Sequence, residues 1–158
     1  MLVQKTFTIQ PPPETVFAYL ANIENEARWN PWAIEVHKIS NGPVGPGARF
    51  SGRYKRFGRV EQELSDYVPS RRVTWVSNTM GAASMTFELE PNNTGTRVTM
   101  IGRANPPGLM KLIDPVMGLM MRSHFDDLAE GIQRETSRLS LIQPTTPPAD
   151  KPPAAAPE

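Results

Sequence analysis

Residues 2–10 alternate, with Val3, Phe7 and Ile9 on one face and Gln4, Thr6 and Thr8 on the other. This pattern predicts a strand whose apolar face carries one charge, Lys5. Pro11-Pro12-Pro13 ends it, and a proline suits the first turn of a helix. Val16, Phe17 and Leu20 then predict a short amphipathic helix, and a second helical turn covers Glu24 to Trp29 before Pro31. Beyond Pro31 the period falls to two. Strands are predicted over 34–40, 47–55, 59–68, 71–78, 83–90 and 95–103. Turn residues such as Asn41-Gly42-Pro43, Phe57-Gly58, Pro69-Ser70 and Pro91-Asn92-Asn93 join them, as expected of an antiparallel meander.

From Pro107 the helical period returns. Met121, Phe125, Leu128, Ile132, Glu135 and Leu139 fall on one stripe of a long helix, with charges on the other faces. Pro115 either kinks this helix or starts it, with Asp114 as the N-cap. The order of elements gives an α+β fold with one domain over 1–142. Six of the 17 prolines lie in the last 16 residues, a segment without aromatics. Residues 143–158 are therefore expected to form a disordered Pro/Ala-rich tail.

Composition narrows the chemistry. A net charge of +1 points the chain as a whole to neither nucleic acid nor membrane. With no cysteine, thiol catalysis, disulfides and Cys-type zinc sites drop out. Only two histidines, His37 and His124, argue against a transition-metal site, and no cofactor is expected. The first residues lack the apolar core of a signal peptide, and no apolar run reaches the ~18–20 residues of a membrane span. The expectation is a cytoplasmic domain without a transmembrane segment.

Five stretches in order carry a resemblance: Pro12-Pro13-Glu14-Thr15-Val16-Phe17-Ala18-Tyr19-Leu20, Arg28-Trp29-Asn30-Pro31-Trp32, Val44-Gly45-Pro46-Gly47-Ala48-Arg49-Phe50, Pro69-Ser70-Arg71-Arg72-Val73-Thr74-Trp75 and Gly95-Thr96-Arg97-Val98-Thr99. Over roughly 2–140 the chain resembles the START-like or Bet v 1-like (SRPBCC) superfamily, in particular bacterial polyketide cyclase/dehydrase-type proteins. The resemblance implies a helix-grip fold. A curved seven-stranded antiparallel sheet would surround a long C-terminal helix, with two short helices after strand 1 and a hydrophobic cavity between sheet and helix. Such a fold hosts carriers, sensors and enzymes alike, so it does not decide the activity.

The candidate ligand-binding residues are Phe50, Tyr54, Trp75, Met85, Phe87 and Met100 from the strands, and Met117, Met120, Met121 and His124 from the helix. Leu109 and Ile113 extend the helical set. Methionine is polarizable and adapts to varied apolar partners. An ordinary packed core would use the same residue types. His124 stands beside the apolar stripe, where a neutral imidazole can bond a carbonyl or hydroxyl, or serve as a base; a structural histidine bonded to backbone or water is the plainer reading. Tyr54 and Tyr67 offer phenolic donors. His37, Glu61 and Glu63 are expected to face solvent. Trp29 and Trp32 flank Asn30-Pro31 and are expected to close one end of the core rather than form a lid.

No acidic residue separates Glu35 from Glu61, an interval holding Lys38, Arg49, Arg53, Lys55, Arg56 and Arg59. The hairpin around Tyr54-Lys55-Arg56-Phe57-Gly58 thus presents a basic tip. A solvated hairpin protected from edge pairing is favoured over a nucleic-acid site. The leading functional expectation is binding of a small hydrophobic or aromatic molecule, lipid-, isoprenoid- or polyketide-like. The alternatives are a polyketide aromatase/cyclase working by proximity and acid–base catalysis, and a regulatory or toxin-like interaction protein using the basic hairpin.

Deletion of 143–158 is expected to leave the melting temperature within ~4 °C, about 1 kcal/mol for a domain of this size. A larger drop in a thermal melt means that the tail packs on the domain.

Overall fold

The computed structural model describes residues 1–79, 81–105, 108 and 114–142. The tail and the candidate positions Leu109 and Ile113 lie outside the described residues. Strand β1 (Leu2–Ile9) is followed by helix α1 (Pro13–Ala21), a 3-10 turn (Ile23–Asn25) and helix α2 (Glu26–Trp29). Six strands come next: β2 (Ala33–Lys38), β3 (Arg49–Tyr54), β4 (Gly58–Val68), β5 (Arg72–Ser77), β6 (Ala82–Asn92) and β7 (Gly95–Asn105). Helix α3 (Asp114–Ile142) completes the fold.

Local chemistry accounts for the helix starts. Pro12 is the N-cap of α1 and Pro13 its first residue, a position where the missing N–H costs nothing. The Asn22 side chain accepts from the Glu24 backbone N–H and so opens the 3-10 turn. Pro115 lies in the first turn of α3, so the helix starts there rather than kinking in its middle.

The seven strands form one antiparallel sheet in the order β1-β7-β6-β5-β4-β3-β2. β1 and β2 therefore occupy opposite edges, separated by six strand spacings, about 29 Å at ~4.8 Å each. The chain crosses that width through α1, the 3-10 turn and α2. Register shifts between Ala33 and Glu35 in β2, and between Leu64 and Asp66 in β4, mark irregularities of the kind that bend a strand. The sheet, the two short helices and the long C-terminal helix make the helix-grip arrangement expected from the sequence.

Helix α3 lies closest to β1 and α2. Two glycines permit this approach. A Cβ on Gly131 would stand 2.1 Å from the Trp29 carbonyl oxygen, and one on Gly102 would stand 2.5 Å from the Phe125 ring. Lys5, the charge on the apolar face of β1, reaches Asp126 of α3 at 2.6 Å. Phe125, Leu128 and Ile132 are buried, as the stripe predicts, and join a core that includes Phe50, Leu64, Val73, Phe87, Val98 and Met100.

Leu128 is 1% exposed, so Leu128→Ala is expected to destabilise by ~2–5 kcal/mol in chemical denaturation. Gly131→Ala is expected to cost at least ~1–3 kcal/mol, because its new methyl meets backbone that cannot rotate away. A neutral Gly131→Ala would mean that α3 does not cross α2 at this point.

Candidate functional site

A cavity of about 300 Å³ lies between the sheet and α3, bordered also by α2. Its wall is mostly apolar. Trp75, Met85 and Phe87 contribute from β5 and β6, and Met117, Met121, Phe125 and Leu128 from α3. Exposed Ala82, Ala83 and Asn105 border it on the side of solvent. The cavity exists where it does because α3 rests on β1 and α2, and Phe125 on Gly102 of β7, rather than against the middle strands.

Seven of the ten sequence-predicted residues line this space: Tyr54, Trp75, Met85, Phe87, Met117, Met121 and His124. Three do not. Phe50 is fully buried and meets Trp75 edge-on at 5.2 Å, so it forms a layer behind the wall. Met100 is likewise fully buried in the core. Met120 falls off the edge of the helical stripe and its Sδ lies 3.7 Å from Arg56. Tyr67 packs against Phe17 at 4.9 Å and takes no part in the cavity wall. His37, Glu61 and Glu63 are exposed as expected.

The sequence reading passed over the main polar feature of the wall, Glu26. This carboxyl is only 7% exposed. Tyr54 Oη donates to its Oε2 at 2.5 Å, Asn30 Nδ2 donates to Oε1 at 2.6 Å, and Gln62 Nε2 approaches Oε2 at 3.5 Å. Gln62 also donates to the Tyr54 oxygen at 2.5 Å. Glu26, Asn30, Tyr54 and Gln62 all border the cavity. Burial pushes the Glu26 carboxyl above its ordinary range, and its three hydrogen bonds only partly oppose this. Burial and the nearby carboxyl also push the Tyr54 hydroxyl up. Among the described residues no Lys, Arg or His forms an ion pair with Glu26.

Helical spacing held the signal for Glu26. Ile23, Glu26, Trp29 and Asn30 share one face of the turn, so the acid sits among groups that turn inward. Gly52 supplies room for its partner: a Cβ there would stand 2.6 Å from the Tyr54 ring, two residues along the same strand face. An alanine at position 52 would therefore shift the hydroxyl that bonds Glu26.

One end of the cavity is closed by stacking. The Trp32 and His124 rings lie parallel at 8°, with centroids 3.5 Å apart. Phe57 meets Trp32 edge-on at 5.6 Å, and the Arg56 guanidinium lies over the Trp32 ring at 5.0 Å. The basic hairpin tip thus packs on the indole. Its neighbours are engaged too, Arg53 with Glu35 at 3.0 Å and Arg59 with Ser51 at 2.9 Å. His124 is buried, which pulls its pKa down to about 4, with Arg56 adding to the effect and Asp127 opposing it. Its imidazole is neutral at pH 7, and Nδ1 has no hydrogen-bond partner among the described residues. Trp29 is a core residue, edge-on to Phe87 at 5.9 Å, and also borders the cavity. Among the described residues no group of three or more His, Asp or Glu is placed to hold a metal ion. Nor is any helix long and apolar enough to cross a membrane.

The two shifted groups give opposite pH slopes. Glu26 has a raised carboxyl pKa in the folded state, so its contribution is lost as pH rises above the unfolded value. Glu26→Gln should therefore gain stability relative to the unsubstituted protein as pH rises above the ordinary carboxylate value of about 4.3. His124 has a lowered pKa, so its contribution is lost as pH falls from about 6.5 toward about 4. His124→Asn should gain relative stability in that acid window. Melting temperatures across the pH series check both signs, and flat differences would mean that neither group is desolvated.

The described geometry has counterparts among known proteins. A protein from Thermus thermophilus superposes with a TM-score of 0.71 at 17% identity, covering 89% of this chain and 99% of its own. A START superfamily protein from Mycobacterium smegmatis superposes at 0.68 and 12% identity, covering 87% and 98%. The solution structure of a Bacillus halodurans protein gives 0.68 at 20% identity, covering 85% and 95%. These likenesses concern the fold. No curated protein matches the sequence. Residues 2–136 match the family described as polyketide cyclase / dehydrase and lipid transport, and the chain belongs to that family.

Proposed function

We propose that the protein binds one small, largely apolar molecule between the sheet and α3, with a polar group of the guest turned toward Glu26, Tyr54 and Gln62. The observation that carries this reading is a mostly apolar cavity of about 300 Å³ between the sheet and α3, with one buried carboxyl in its wall. Protein interiors are close-packed, and concave, mostly apolar spaces with a few polar groups are where small molecules bind. Met85, Met117 and Met121 adapt the wall to the guest, and Trp75 and Phe87 offer flat surfaces. A lipid-, isoprenoid- or polyketide-like guest suits this lining, and the family description includes lipid transport.

A second reading, a polyketide cyclase or dehydratase, is favoured by one particular feature. The Glu26 carboxyl and Tyr54 hydroxyl are in direct contact at the cavity wall, and burial favours the protonated carboxyl. In that case the cavity would hold a poly-β-ketone folded for reaction while this pair moves the proton. His124, stacked and neutral, is the weaker proton carrier.

Native mass spectrometry of the purified protein is expected to show one co-purifying apolar molecule per chain, or saturable uptake of the neutral probe N-phenyl-1-naphthylamine. Met85→Trp, which fills the space, should weaken the probe about tenfold, or about 1.4 kcal/mol. Unchanged affinity would remove the cavity as the binding site. On the enzymatic reading, Glu26→Gln should slow turnover of a β-ketone substrate about 10²–10⁴-fold while probe binding persists; turnover that survives the substitution rules this pair out as the catalyst.

A further inference from the structure

The polar groups around Glu26 in the cavity wall are chemically one-sided. Glu26 is an acid whose hydrogen-bonding neighbours, Tyr54, Asn30 and Gln62, are all neutral. His124 is more than nine-tenths buried and uncharged at pH 7. Two cations belong to described residues bordering the cavity: Arg103 is exposed to solvent, and the Met1 ammonium donates to the Ala104 carbonyl oxygen at 2.8 Å, at the β1–β7 side rather than beside Glu26. Two further buried donors have no acceptor among the described residues: the indole N–H groups of Trp29 and Trp75, residues only 4% and 2% exposed. Unpartnered buried donors favour an incoming acceptor oxygen. A guest carboxylate would supply that oxygen, but it would also bury a negative charge beside Glu26, an acid with no ion-pair partner among the described residues.

We infer that the polar wall formed by Glu26, Tyr54 and Gln62 selects neutral oxygenated guests, a ketone, enol or hydroxyl on an apolar body, and rejects carboxylates of the same size. This rests on the cavity-binding reading above and narrows its ligand class, setting free fatty acids and other organic anions outside it. The Tyr54 hydroxyl is the adaptable member of the wall. It donates to Glu26 and accepts from Gln62 in the structure, and its O–H can turn to a guest carbonyl when the carboxyl carries the proton.

The test uses three guests with one ring system: naphthalene, 2-acetylnaphthalene and 2-naphthoate. Each is titrated by calorimetry into the full chain at pH 7.5. The ketone is expected to bind several-fold tighter than naphthalene and about tenfold or more tighter than 2-naphthoate, a tenfold ratio being about 1.4 kcal/mol. Tyr54→Phe should bring the ketone down to the level of naphthalene while naphthalene itself stays within about twofold, since only one hydrogen bond is removed. A carboxylate that binds as tightly as the ketone overturns the inference, and so does a ketone preference that survives Tyr54→Phe. If Tyr54→Phe does not fold, the ranking of the three guests on the unsubstituted protein decides alone. Failure of all three to bind instead overturns the cavity-binding reading, and this inference with it.

Discussion

The contents of the cavity depend on how closely α3 can cross α2. At Gly131 the helix runs against the carbonyl of Trp29, with a hypothetical Cβ only 2.1 Å from that oxygen. Any side chain at this point would hold the two elements apart. The close crossing carries Glu26, Trp29 and Asn30 of the short helical segment to the same space as His124, Phe125 and Leu128 of the long one. Phe125 over Gly102 fixes the neighbouring stretch against β7 by the same device, an aromatic seated where a glycine leaves room. With α3 held toward the β1 edge, the middle of the sheet keeps an unfilled concavity.

A buried carboxyl in such a concavity is costly unless its lone pairs are met or its charge is suppressed. Here both effects operate. Three donors converge on Glu26, and burial shifts it toward the protonated form. A structural role alone would be served by an apolar residue of similar volume, which often replaces buried polar groups without loss. On the proposed reading, an acid tied to a tyrosine at a cavity wall serves a guest, as binder or as proton carrier. The Trp32–His124 stack closes another part of the wall without charge, and the Arg56 guanidinium lies over the Trp32 ring.

Much of this architecture was legible in the residue pattern. Period-two alternation and turn residues located all seven strands to within a few positions, because a sheet with one buried face demands that alternation. The stripe Phe125, Leu128, Ile132 was visible for the equivalent reason in a helix. Seven of the ten candidate residues border the cavity. The three that do not show where pattern stops being informative. Phe50 and Met100 point inward as alternation requires, but whether an inward side chain meets empty space or a neighbour depends on the position of α3. Met120 lies at the margin of the stripe, where a small rotation of the helix decides between cavity and hairpin.

Glu26 was passed over because acidic residues are rarely buried, and a single helical turn is too short to declare its face. The basic hairpin read as one charged surface, yet Arg53, Arg56 and Arg59 are each engaged by a different partner, on β2, α2–β2 and β3. The sequence by itself determined the elements, their order and the faces that turn inward, since these follow from local periodicity and turn chemistry. Only the tertiary structure decided which inward residues border a cavity, and that a carboxyl from α2 meets a tyrosine from β3. Those contacts join residues 28 positions apart in the chain, and they depend on backbone approaches set by glycines rather than on any pattern along the strand or helix.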